Sequence, residues 1–206
     1  VVISIIAILA GFLLPALQNA RQKAKTIACA NNLNNINKAF MLYLSDWDDH
    51  IYWGQETNPT YYMDRYVYGG RSTDNKYDGG QGDLFNHYVP RPLNRYVNNS
   101  LKVFHCPQDV NAFSGWNNST KYEQVGNSYA FNWYFRDKKM TRIRRPAGLI
   151  SYTEAPAVEA DRVLWHKDKA NVMFFDGHQE FIAVPSQNKD DSYWWDGDGD
   201  VPVINF

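Results

Sequence analysis

The sequence predicts an α+β fold: one long N-terminal helix, then an antiparallel β-sheet in a loop-rich globular part. Three observations carry this. The first 46 or so residues contain only one Gly and one Pro, Gly11 and Pro15, and carry a helical pattern. The β-prone runs all fall after residue 127. Two of those runs flank Asp176-Gly177, a pair suited to the tight turn of a type I′ hairpin. Helix first and antiparallel strands afterwards is the α+β order. The chain therefore divides into residues 1–49, the helix, and residues 50–206, the globular part.

The helix has two halves. From Val1 to Leu17 every residue is apolar or small except Ser4, and no charge occurs before Arg21. As a helix this run is about 26 Å long, a little short of a ~30 Å hydrocarbon core. A signal peptide, a buried core helix and a membrane anchor all start this way. The signal-peptide reading lacks a basic flank and a small-x-small cleavage site before a new domain. Instead the apolar run 1–17 continues without a break into 18–49, rich in Ala, Leu, Asn, Gln and Lys. There Ile27, Leu33, Ile36, Phe40, Leu44 and Trp47 mark an amphipathic stripe. Asp46, Asp48 and Asp49 oppose the helix dipole and place the C-terminus there. Pro15 removes a backbone donor and Gly11 is a weak helix former, so the helix is expected to kink or melt locally between them.

The run from Val1 to Lys25, with Ala7, Ala10, Gly11 and Pro15 at these positions and a polar switch near Gln18, resembles the class III signal region of type IV pilins and type II secretion pseudopilins. The resemblance implies that a few residues precede Val1. They would include the terminal residue cleaved and methylated by a prepilin peptidase and the acidic residue that pairs with a neighbouring subunit. It also implies that residues 1–17 lie in a membrane and then in a filament core.

In the globular part, residues 54–100 are dense in Gly, Asn, Tyr and Asp and predict long loops with short ordered pieces. Strands are expected at Ser128–Phe135, Leu149–Thr153, Asn171–Phe175 and His178–Ala183. The 7 Trp, 14 Tyr and 11 Phe sit largely among polar residues, which suggests half-buried rings with wet polar tips. Two cysteines, Cys29 and Cys106, permit one disulfide or two buried thiols; no CxxC or CxxCH motif points to a metal cluster or haem.

His166, nine intervening residues and then Asp176-Gly177 resemble the motif of the prepilin-type processing-associated H-X9-DG proteins, which are pilin-like. Cys29-Ala30-Asn31-Asn32-Leu33 and Cys106-Pro107-Gln108-Asp109 match two further patterns of that family. The resemblance implies a Cys29–Cys106 disulfide between the long helix and a loop packed on it.

His166, Asp176 and His178 are the sharpest catalytic-looking trio, since a His–Asp pair orients a base. No Ser or Cys nucleophile motif accompanies them. Asp176 is read as a turn residue and His166 as a hydrogen-bonded residue joining two strands, so no enzyme is expected. Asp191, Asp196, Asp198 and Asp200 form an acidic, glycine-spaced run able to aim several oxygens at a hard cation. Val201 stands where an EF-hand needs its turn glycine. The run resembles the calcium loop of some major pseudopilins, which implies a structural Ca²⁺.

A net charge of −1 provides no broad basic face for nucleic acid, and Arg142, Arg144 and Arg145 are read as a solvated loop. The triplets beginning at Asn98, Asn117 and Asn118 are read as polar loops. With the resemblance, the expected function is that of a structural subunit. It would leave the inner membrane and polymerise with identical subunits, through pilus assembly machinery, into a cell-surface filament. A secretion pseudopilin and an anchored polysaccharide-binding surface protein are the alternatives.

Overall fold

The computed structural model describes residues 2–52, 65–66, 68–71, 91–109, 120–135, 138–158 and 164–184. It has an α+β layout. Helix α1 spans Val2–Asp46 and runs unbroken through Gly11 and Pro15, so the expected local melting is not a feature of this state. At ~1.5 Å per residue its 45 residues reach about 68 Å. The helix stops where Asp48 and Asp49 take positive φ of 51° and 58°, and the amide of Asp49 bonds back to the Leu44 carbonyl at 3.0 Å.

The second helix, α2 (Lys121–Val125), is one turn and a half. It is held by a capping box between Thr120 and Glu123 and ended by Gly126 at φ 79°. Four strands follow: β1 (Tyr129–Phe131), β2 (Ile150–Glu154), β3 (Lys169–Phe174) and β4 (Gln179–Ala183). They form an antiparallel meander in chain order.

The strand expected over Ser128–Phe135 is shorter than the sequence suggests. Asn132 leaves the ladder because its side chain donates to the Ile150 carbonyl at 2.9 Å, and Trp133–Phe135 then form a 3₁₀ turn. The β3–β4 turn also differs. A type I′ turn needs two positive φ angles, but only Gly177, at 92°, has one. The amide of Gly177 bonds to Phe174 O, and Phe174 N bonds to His178 O, which makes a three-residue loop.

The sheet is buried on both faces. Tyr129, Phe131, Tyr152 and Met173 pack against Leu33, Ile36, Phe40 and Tyr43 of α1. Ala130, Ile150, Val172, Phe174 and Ile182 face the other way, with Tyr66 and Val125. Ile150 and Tyr152 point to opposite faces because a bulge lies between them.

Five tyrosines depart from the expectation of wet polar tips, while Tyr96 keeps an exposed hydroxyl on Asp46. Tyr52, Tyr66, Tyr68, Tyr129 and Tyr152 are each at most 9% exposed. The Tyr52 and Tyr152 hydroxyls bond each other, and the Tyr68 hydroxyl donates to Tyr129 O at 2.8 Å. Burial pushes the phenols of Tyr52, Tyr129 and Tyr152 well above their ordinary range, so these hydroxyls stay neutral at any physiological pH.

Candidate functional site

Two surfaces of α1 divide its work: an apolar stretch that touches no other described part of the chain, and a stripe that fastens the helix to the globular part, the head. Residues 2–24 are exposed throughout. Val2, Ile3, Ile5, Ile6, Ile8, Leu9, Phe12, Leu13, Leu14 and Leu17 are each 53–83% exposed. Leaving ten such side chains in water would forgo about 15–30 kcal/mol at ~1.5–3 kcal/mol each. A head of this size has a total stability of about 10 kcal/mol. The stretch must therefore be covered. α1 is long and apolar enough to cross a membrane, and the span lies near the N-terminus.

Gly11 has no neighbour within 4 Å of a Cβ placed on it. Ala7, Ala10 and Pro15 share this free stretch. Among the described residues, therefore, nothing packs on these small residues.

The fastening stripe begins at Gln22. Gln22, Thr26, Cys29, Leu33, Ile36, Phe40 and Tyr43 alternate steps of four and three, which keeps them on one face. The first members are polar. Gln22 accepts from Gln108 Nε2 at its carbonyl (3.3 Å), and the Thr26 hydroxyl lies 2.9 Å from His166 Nδ1. Cys29 and Cys106 stand at disulfide distance, with Cα atoms 5.0 Å apart. Just beyond, Asn32 donates to the His105 carbonyl at 2.8 Å. Ile27, expected on the buried face, is 68% exposed because it lies off this stripe, and Trp47, past the helix end, is half exposed.

The Cys106-Pro107-Gln108-Asp109 turn ties three elements together. Gln108 holds α1. Asp109 accepts from the amides of Lys121 (2.9 Å) and Tyr122 (2.7 Å) at the start of α2 and from Ser128 Oγ (2.7 Å) before β1. Burial raises the Asp109 carboxyl above its ordinary 3.8, more than those three donors lower it. A raised carboxyl pKa means that the folded state holds the proton more tightly than the unfolded chain. This contribution is full below the ordinary value and is lost as pH rises through the raised one. Asp109→Asn is expected to remove that part of the pH dependence, measured by thermal melts across the carboxylate range.

His166 bonds to α1 before β3, and Gly177 lies close against the same helix after it. His166 Nε2 lies 2.8 Å from Glu154 Oε1 at the end of β2, and both side chains are almost free of solvent. Asn171 of β3 donates its side chain to the same Glu154 oxygen at 2.7 Å. Eleven residues on, a Cβ at Gly177 would sit 3.2 Å from Asn37 Nδ2 of α1. Thr26 and Asn37 are also eleven residues apart, three helical turns or about 16 Å. The spacing between the histidine and the glycine thus matches a stretch of strand laid along three turns of α1. Gly177→Ala is expected to cost about 1–2 kcal/mol from the left-handed conformation alone, read as a fall of several degrees in melting temperature.

The catalytic-looking trio does not come together. Asp176 and His178 pair with each other at 2.6 Å on the exposed turn, and all of β3 lies between them and His166. Glu154 and Thr26, the actual partners of His166, were not anticipated. The signal for Glu154 was a carboxylate ending a strand that is otherwise without charge, Ile150–Thr153. Arg142, Arg144 and Arg145 are exposed. Asp191, Asp196, Asp198 and Asp200 lie outside the described residues. No family model, no curated protein and no solved structure matches the chain.

Proposed function

We propose that this chain is a structural subunit that polymerises through Val2–Leu17 into a cell-surface filament of the type IV pilus kind. The observation that supports the reading is the apolar half of α1, wholly exposed yet continuous with a half locked to the head. Before assembly the inner membrane covers that half; afterwards identical subunits do. Lipid is as apolar as a filament core, so assembly gains little from hydrophobic burial and needs close packing of small residues together with assembly machinery. Ala7, Ala10 and Gly11 supply the close approach, and Pro15 the local weakness in the helix. Head-to-tail packing of one surface on another gives an open helix, which a filament requires. Processing by a prepilin peptidase and a Ca²⁺ held by the acidic run belong to the same proposal.

A short secretion pseudopilus would use the same surface, and filament length separates the two. The polysaccharide-binding alternative would use Trp and Tyr loops that lie largely outside the described residues. Immunogold microscopy of whole cells with antibody to the head tests the proposal. Filaments labelled along their length are expected. Label confined to the envelope would overturn it.

A further inference from the structure

The disulfide does not stand alone in the interior. The Cys29 and Cys106 sulfurs, one Glu154 carboxylate oxygen and one His166 ring nitrogen all lie within 4.8 Å of one another, and all four residues are buried. They come from four places in the chain: α1, the turn at 106–109, the end of β2 and the turn before β3.

We propose that, with the disulfide reduced, these four residues form a buried tetrahedral site for Zn²⁺ or a cation of similar preference. Two thiolates, one imidazole and one carboxylate are a donor set that zinc accepts. Bond lengths of about 2.3 Å to sulfur and about 2.0–2.1 Å to nitrogen and oxygen imply donors separated by roughly 3.3–3.8 Å. The four atoms are already gathered to nearly that size. Reduction frees the two sulfurs to separate by the remainder.

The surroundings are those a metal site needs. If His166 binds through Nε2, its Nδ1–H points at the Thr26 hydroxyl 2.9 Å away, which donates onward to Gln22 O at 3.2 Å. This fixes the imidazole tautomer, as outer partners of zinc-bound histidines do. Glu154 keeps the Asn171 side chain on Oε1 at 2.7 Å and the Asn171 amide on Oε2 at 3.3 Å. The cation takes the place between Nε2 and Oε1 that a hydrogen bond of 2.8 Å now fills.

The chemistry balances with a dithiol or phosphine reductant. The reductant supplies two electrons, the S–S bond breaks, and each sulfur takes up a proton. Metal binding then releases both thiol protons, while the imidazole keeps one proton on Nδ1. The ion would join α1 to the 106–109 turn, the same two segments the disulfide joins. The head would then have a second way of staying clamped to its helix wherever thiols are kept reduced.

The test uses the full chain in detergent, reduced with a phosphine, desalted without oxygen and titrated with Co²⁺ and then Zn²⁺. The expected result is one Co²⁺ per chain, with thiolate charge-transfer bands in the near ultraviolet and tetrahedral ligand-field bands in the visible, all abolished by Zn²⁺. Zn²⁺ should also raise the melting temperature of the reduced chain. The unreduced chain and Cys106→Ser should lack the charge-transfer signature of two thiolates. Glu154→Gln, which retains hydrogen-bonding capacity, should weaken binding at least about tenfold. A reduced chain without tetrahedral bands would overturn the proposal. So would equal Co²⁺ affinity in Glu154→Gln, since the thiols alone would then be responsible.

Discussion

Cys106→Ser, or reduction in the presence of a chelator, should lower the stability of the head by about 4 kcal/mol. The bond closes a loop of 77 residues, and the chain-entropy relation for that length gives this magnitude. For a chain of 206 residues, that is a fall of roughly 8–16 °C in melting temperature. The effect should concentrate where α1 enters the head. Gln22, Thr26 and Asn32 attach by hydrogen bonds of 2.5–3.3 Å on either side of the sulfurs. Without the bond, amide exchange should rise first over residues 22–32, while the aromatic core around Phe40 and Tyr152 stays protected. Uniform loss of protection would show instead that the clamp and the core unfold as one unit. His166→Ala acts on the same junction. It leaves Glu154 Oε1 with the Asn171 side chain but without the imidazole, and should cost about 2–3 kcal/mol. His166→Gln, which can still donate to Glu154, should cost less.

The second large effect separates assembly from anchoring. Gly11→Leu adds apolar surface at a point with open space around it, so membrane insertion should be unchanged or stronger. A leucine there would hold neighbouring helices apart where small residues let backbones approach. The variant is therefore expected to reach the membrane fraction at full level and form no filaments. Leu13→Asp is the contrasting case: its cost at mid-membrane is about 3 kcal/mol, so it should reduce anchoring as well. If Gly11→Leu assembled normally, the small-residue packing argument would fail.

Much of this arrangement was legible in the sequence because it rests on local patterns. The long helix follows from a run almost free of Gly and Pro, and the β3–β4 hairpin from Asp176-Gly177 between two β-prone runs. What was misread depended on partners far along the chain. A count of apolar residues puts Ile27 on the buried stripe, whereas that part of the stripe is Gln22, Thr26 and Cys29, two of them polar. Their burial makes sense only once Gln108, His166 and Cys106 stand opposite. Ser128–Phe135 looks like one strand until Asn132 is seen capping Ile150. The tyrosines sit among polar neighbours in sequence, yet their hydroxyls find Tyr152 and the Tyr129 carbonyl inside the core. His166 was read as joining strands; it also joins the sheet to α1 through Thr26.

Helical reconstruction of filaments isolated from the cell surface tests the central claim most directly. The account predicts a core of α1 segments, residues 2 to about 24, packed through Ala7, Ala10 and Gly11, with the disulfide-clamped heads outside. Filaments whose core is built from another chain, or this chain recovered only as single copies in the membrane, would contradict it.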